Sequence, residues 1–248
     1  MSDDDTITGA TDLDELRRYA IAPVTGVSDW GAATSSGRIR PENEDAFGHL
    51  DQHLFVIADG MGGHAGGRMA ATTAVQGVLS TSGTAGISSL PDLVRSVSAQ
   101  VRMQTCARGF ENAGTTLVIT RVLQGVVTIA GVGDSRVYRL RDGELTQLTT
   151  DHTVAGTHAL TRYVGAADGN DVPHVTSLAP QAGDRLLMLT DGVFKQLTDA
   201  QIVDALDGRS AGQGASELVT QADRAGGRDN ATALIIDFAA QPAEVSHV

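Results

Sequence analysis

Four aspartates in this 248-residue chain each stand where an apolar, strand-like run meets a glycine or an asparagine. They are Asp59 after Val56-Ile57-Ala58, Asp134 after Ile129-Ala130-Gly131-Val132-Gly133, Asp191 after Leu187-Met188-Leu189-Thr190, and Asp229-Asn230 ahead of Ala231-Thr232-Ala233-Leu234-Ile235-Ile236. One such junction is ordinary, because Asp and Gly favour turns and a strand must end somewhere. Four of them, with the acidic pair Glu44-Asp45, imply strand ends that converge and pool carboxylates at one rim. Carboxylates packed together repel, and one takes up a proton unless a cation neutralises them. An oxygen-only cluster suits hard divalent ions, Mg2+ or Mn2+, rather than zinc.

The rest of the chain supplies the strands. Runs with strand character lie at 28–34, 54–58, 115–121, 126–132, 135–141, 144–149, 185–190 and 231–238. Arg141-Asp142-Gly143-Glu144 predicts a tight hairpin, since Asp-Gly supports the primed turns that match strand twist; Leu123-Gln124-Gly125 predicts another. Helical spacing appears at 68–79, in the stripe Leu90, Leu93, Val94, Val97 and Val101, from a Thr198 cap to Leu206 with a stop at Gly208, and at 215–225 ahead of Gly226-Gly227. The order lacks the strand–helix alternation of a parallel sheet. The expected class is α+β, a layered α-β-β-α sandwich of two mainly antiparallel sheets flanked by helices. The expected domains are an acidic, partly disordered arm over 1–23 with a helical turn or two around Leu13 to Tyr19, one catalytic domain over 24–238, and a tail over 239–248.

Composition narrows the function classes. Hydrophobic residues make up 41% of the chain, enough for one substantial core. A net charge of -12 argues against a nucleic-acid surface and against docking on anionic lipid, both of which need clustered Lys and Arg. Cys106 is the only cysteine, which excludes an intrachain disulfide and suits a reducing compartment; its helical setting reads as core rather than nucleophile. The acidic start lacks a secretory signal, and no apolar run approaches the roughly 20 residues of a membrane helix. A cytoplasmic monomer is the expectation.

The segment from Asp59 to Gly67, Asp-Gly-Met-Gly-Gly-His-Ala-Gly-Gly, follows a strand and opens a helix. Gly60-x-Gly62-x-x-Ala65 formally matches a dinucleotide fingerprint, but Asp59 would set a carboxylate beside the pyrophosphate. No acid lies between Asp59 and Asp92 to take a ribose hydroxyl, and the Gly-Lys-Ser/Thr of a P-loop is missing. The better reading is a tight metal loop in which glycine frees a backbone carbonyl beside Asp59.

Six motifs, each weak alone, occur together and in order: Arg40-Pro41-Glu42-Asn43-Glu44-Asp45, Asp59-Gly60, Gly114-Thr115-Thr116, Gly133-Asp134-Ser135-Arg136, Asp191-Gly192 and Asp229-Asn230. In order and approximate spacing the chain resembles the bacterial metal-dependent serine/threonine protein phosphatases, the protein phosphatase 2C-like (PPM) family, from about Ser28 to Asp237. The resemblance implies that Asp59 bridges two Mn2+ or Mg2+ ions, with the Gly60 carbonyl on one and Asp191 and Asp229 on the other. It implies that Asp134 with Asp191 holds a third, weaker ion, and that Glu44 and Asp45 ligate directly or through water. Arg40 is the implied phosphate clamp, Asn230 orients Asp229 or a water, and Gly114-Thr115-Thr116 packs beneath the site. Taken singly, Asp134-Ser135-Arg136 reads equally as a turn with a surface ion pair, Asp45 as a cap, and Arg40 as a solvent partner of Glu42.

Some family members carry a candidate general-acid His directly after Asp-Gly. Here Met61 stands there, and His64 three residues on is the candidate, against a loop-structural role. His152, after Asp151, reads as structural. Only Thr153 to Ala159 separate Asp151-His152 from Leu160-Thr161-Arg162, an interval where the family usually has a much longer flap. The activity implied is hydrolysis of phosphoserine and phosphothreonine in proteins by a water bridging two cations, with partners that include a cognate kinase or its substrates. Two alternatives stay open: a catalytically silent binding module of the same fold, and a phosphatase dedicated to small regulators such as anti-sigma-factor antagonists.

Overall fold

Alternation along the strands decides the architecture. Within β4 (Leu54–Met61), Leu54, Val56 and Ala58 face one apolar layer while Phe55 and Ile57 face another. β6 (Leu117–Leu123) and β7 (Val126–Val132) divide in the same way. In β11 (Arg185–Leu189), Leu187 and Leu189 face outward to helices while Leu186 and Met188 face inward. A strand buried on both faces belongs to an inner layer. Two such sheets, each covered by helices, make the α-β-β-α sandwich that the strand order predicts.

The computed structural model describes residues 6–8, 25–81, 89–157 and 159–240. The first sheet runs β1 (Thr6–Thr8), β10 (His174–Leu178), β7, β6, β4, β3 (Asp45–Leu50), with the two-residue β5 (Gly114–Thr115) paired to β4. The second runs β2 (Thr25–Ser35), β12 (Ala231–Ala240), β11, β8 (Arg136–Arg141), β9 (Glu144–Gln147). Neighbouring strands are antiparallel throughout. Helices α1 (His64–Thr81) and α2 (Leu90–Cys106) cover the first sheet, whereas α3 (Asp191–Phe194), α4 (Asp199–Asp204) and α5 (Ala211–Arg224) cover the second. Between the sheets, Phe55, Ile57, Val127 and Ile129 pack on Leu186, Met188, Leu234 and Ile236. Each such side chain contributes about 1.5–3 kcal/mol by leaving water. No helix among the described residues is long and apolar enough to cross a membrane.

Local chemistry fixes the joints. Both predicted hairpins form, with positive φ at both central residues: 52° and 77° at Gln124-Gly125, 52° and 80° at Asp142-Gly143. Thr198 and Ser210 cap α4 and α5 through full capping boxes with Gln201 and Gln213. Four elements lie outside the sequence expectation, the first being β1, a strand within the stretch expected as a loose arm. β3 carries Gly48 and is partly exposed along its length, so it lacks an apolar alternation to announce it. β10 is a short run among loops, and α3 spans a single turn, too short for periodicity.

One expectation is corrected. Cys106 is exposed at the end of α2 rather than in the core. The buried stripe continues from Val101 to Thr105, so the next residue falls off that face. The predicted helical turn at Leu13 to Tyr19, and the tail from Gln241 onward, lie outside the described residues.

Candidate active site

Asp59 continues the parity of Phe55 and Ile57, which points its carboxylate into the space between the sheets at one end of the sandwich. The antiparallel register sets Asp45 of β3 directly opposite Asp59. Like charges opposite one another on neighbouring strands destabilise a sheet. The other sheet answers with hydroxyls. Thr190 and Thr232 share the inward parity of Met188 and Leu234, and their Oγ1 atoms donate to Asp45 Oδ2 at 2.9 and 2.6 Å. Asp45 Oδ1 is buried and has no hydrogen-bond partner.

The other predicted carboxylates come from loop ends around this pair. Asp134 follows Gly133, whose φ of +95° and close approach to Thr116 exclude a side chain there. Asp191 opens α3, and Asp229 precedes β12. Asp59 feels the charges of Asp45, Asp191, Asp134 and Asp229, so the cluster has one electrostatic centre. Burial, reinforced by those four neighbours, pushes the Asp59 carboxyl well above the usual range. Burial likewise pushes Asp45 up to about 7, against the Thr232 and Thr190 hydroxyls, with Asp191 and Asp229 adding repulsion. Asp134 is raised by burial and by Asp191, while Lys195 opposes the shift.

Arg40 donates from Nη2 to Asp229 Oδ2 at 2.8 Å, and its side chain is 45% exposed. The alternative solvent pairing with Glu42 does not form; Glu42 meets Arg68 at 3.4 Å instead. Glu44 is buried, and its Oε2 lies against Gly67, where a Cβ would overlap the carboxylate. Gly60 is equally confined, with a Cβ there overlapping Gly67 and 2.7 Å from the Glu44 carbonyl. Thr116 Oγ1 accepts from the Asp59 N–H at 2.9 Å, and Thr115 Oγ1 donates to the Asp59 carbonyl at 2.9 Å. The Gly-Thr-Thr motif therefore holds the backbone of Asp59. His64 opens α1, and its side chain lies outside the described residues.

Further residues shape the site, and Lys195 among them was not singled out in the sequence. Asn230 clamps the Arg40 loop: its Nδ2 donates to the Ser36 and Glu42 carbonyls at 3.0 and 2.9 Å, and its Oδ1 accepts from the Glu44 N–H at 2.9 Å. Its own N–H donates to Asp229 Oδ1 at 2.9 Å. Lys195 Nζ donates to Asp191 Oδ2 at 2.7 Å and to Asp134 Oδ2 at 3.1 Å. The spacing of Asp191 and Lys195, four apart across a helical turn, was the one clue available for that contact. His152 is structural: its Nδ1 accepts from the Gly133 N–H at 3.2 Å, and its own N–H donates to the Gly133 carbonyl. Burial, then Arg162 and His174, hold its imidazole below the usual range. The short segment after it closes as a turn in which Thr153 pairs with Leu160.

Whether these groups suit divalent cations can be judged from the donors. Among the described residues, no three His, Cys, Asp or Glu side chains stand close enough together to hold an ion as they are placed. Lys195 and Arg40 are drawn onto three of the carboxylates instead. The set is nonetheless all oxygen, it contains the unsatisfied buried Asp45 Oδ1, and burial together with mutual repulsion raises Asp59. These residues fit a hard divalent ion.

With that geometry in place, comparison with known proteins is informative. A family model described as protein phosphatase 2C matches residues 40–221. The chain is 33% identical over 241 residues to the serine/threonine protein phosphatase PstP of Mycobacterium tuberculosis, covering 88% of this chain and 46% of that protein; it thus spans about half that relative's length. It is 30% identical to the serine/threonine phosphatase stp of Listeria welshimeri, covering 82% of this chain and 93% of that one. Among solved structures, the catalytic domain of PstP in complex with two manganese ions superposes with a TM-score of 0.77 at 30% identity, over 87% of this chain and 99% of the other. A match over most of the sequence and a sandwich shared nearly end to end lead to one assignment: the chain belongs to the protein phosphatase 2C family.

Proposed function

We propose that the chain is a metal-dependent phosphatase of phosphoserine and phosphothreonine in proteins, acting at the end of the sandwich where Asp59 lies. The observation that carries this is the convergence of Asp45, Asp59, Asp134, Asp191 and Asp229 from separate elements onto one electrostatic centre, next to an exposed guanidinium. Asp59 and the Gly60 carbonyl of β4, Asp45 of β3 and Glu44 just before it, with Asp191 at the start of α3 and Asp229 just before β12, would hold the cations. When bound, a pair of Mn2+ or Mg2+ ions supplies an acidified water nucleophile and neutralises charge on the phosphoryl group.

The protein's own residues do the rest. Arg40 engages Asp229 through one nitrogen, and its remaining N–H groups are free to take two phosphate oxygens. Asn230 fixes the Arg40 loop against Asp229, so the clamp and the carboxylate keep one spacing. Thr190 and Thr232 hold Asp45 Oδ2, leaving the buried Oδ1 without a hydrogen-bond partner and available to a cation. Neither Cys106, exposed at the end of α2, nor any other side chain is needed as a covalent nucleophile. The leaving serine or threonine oxygen takes its proton from water or from His64.

The reading is tested with p-nitrophenyl phosphate and phosphopeptides, in Mn2+ and after chelation. Mn2+-dependent phosphate release is expected on phosphoserine and phosphothreonine peptides. Release unaffected by chelator, or none at saturating Mn2+, would overturn it; the second result would leave a binding module for phosphoproteins. A cytoplasmic setting belongs to the same proposal, supported by the single cysteine.

A further inference from the structure

The carboxylates at this end of the sandwich are not treated alike. Among the described residues no Lys or Arg pairs with Asp45 or Asp59, whereas one ammonium spans Asp134 and Asp191. That ammonium is built in rather than incidental. Lys195 directly follows α3, its N–H donates to the Asp191 carbonyl at 2.9 Å, and its side chain returns along the same helical face to Asp191 Oδ2. Its Nζ lies 6.0 Å from the Phe194 ring centroid. The Arg136 guanidinium stacks on the same ring at 4.0 Å and is itself fixed by Asp151. Asp134 is nearly buried, with a side chain 8% exposed, and Lys195 is 30% exposed.

We propose that Lys195 is a resident cation that fills the Asp134–Asp191 edge of the cluster, so that this edge takes up no divalent ion while Lys195 is present. This rests on the divalent-cation centre proposed above, to which it adds a limit on occupancy. A divalent ion bound to both Oδ2 atoms would have to share them with an ammonium already within hydrogen-bond distance of each, and two cations on the same pair of oxygens repel. With the ammonium removed, Asp134 and Asp191 become an uncompensated pair, which is the condition that recruits a metal. Lys195 is therefore a determinant of how many ions the protein carries.

The test counts ions. The metal-stripped full chain is dialysed against Mn2+ alone, and bound Mn2+ is obtained from the loss of the free-ion electron paramagnetic resonance signal. The wild type, Lys195→Arg, Lys195→Gln and the double variant Lys195→Gln/Asp134→Asn are compared, with Lys195→Met as the neutral alternative should Lys195→Gln fail to fold. Wild type and Lys195→Arg are expected to bind the same number of Mn2+ per chain. Lys195→Gln is expected to bind one more, and the double variant to lose that extra ion. Equal stoichiometry in wild type and Lys195→Gln overturns the inference while leaving the catalytic reading intact. A wild type that binds no Mn2+ overturns both.

Discussion

Strand β11 handles negative charge in opposite ways at its two ends. At its start, Arg185 faces Asp237 across the β11–β12 register and donates to both carboxylate oxygens at 2.6 and 2.8 Å. Nearby, Arg141 grips Asp184, whose side chain is 1% exposed, at 2.7 and 2.8 Å. Each of these acids has a planar guanidinium of its own, the arrangement that makes a buried charge tolerable. Beyond the other end, Asp45 and Asp59 are half-buried, yet among the described residues their partners are hydroxyls, backbone and one another rather than a cation. The same fold can pair its carboxylates well and at one end does not. The contrast locates function more sharply than the count of acidic residues does, because uncompensated charge costs stability and persists where chemistry needs it.

The contrast can be broken at either end. The largest effect is expected from Asp59→Asn or Asp191→Ala. Loss of several kcal/mol of phosphoryl-charge stabilisation should lower Mn2+-dependent turnover by about 10^3-fold or more, with an unchanged circular dichroism spectrum. Near-normal turnover in either variant would remove the basis of the proposed function. At the paired end, Asp184→Ala removes the carboxylate that Arg141 grips and should cost about 3 kcal/mol, a fall in Tm of roughly 6–12 °C. Its Mn2+ stoichiometry should stay at the wild-type value; a change in bound metal would mean the two ends are not separate.

Smaller effects sharpen the comparison. Thr232→Val removes a hydroxyl donor to Asp45 and should weaken Mn2+ affinity or turnover about 10- to 100-fold, as loss of a group that orients a ligand does. Asp45 also gives a pH dependence whose sign is fixed. Burial pushes its carboxyl from 3.8 up to about 7, so the folded chain holds this proton more tightly than the unfolded chain. The associated stability is complete below about pH 4 and is lost as the pH climbs through about 7. In chelator at pH 8, Asp45→Asn should therefore melt a few degrees above wild type, and the gap should narrow toward pH 4. An Asn variant that melts lower at pH 8 would show that Asp45 is not an uncompensated charge.

Much of this was legible in the residues and some was not. The strand–Asp junctions led to Asp59, Asp134, Asp191 and Asp229 because strand ends are marked locally, by apolar runs meeting turn formers. The sheet pairings, which join residues far apart in the chain, could be inferred only as a class. β3 escaped because an edge strand with Gly48 and partial exposure shows no alternation. The tasks of Thr190 and Thr232, and the hold of Asn230 on the Arg40 loop, were invisible for a different reason. Each acts across 145 to 194 positions, through a hydroxyl or amide of the most ordinary kind. Cys106 misled because a helical stripe gives the buried face but not the residue at which the helix leaves it.

Asn230 carries one consequence beyond its bonds. A single amide fastens the segment bearing Arg40, the proposed phosphate clamp, to the dipeptide bearing Asp229, a proposed cation ligand, so on that reading grip and chemistry form one mechanical part. Variation that retunes grip must then displace the reaction centre as well. Under the proposed function, selectivity among phosphoproteins would then fall to surfaces outside that part, where change leaves turnover undisturbed.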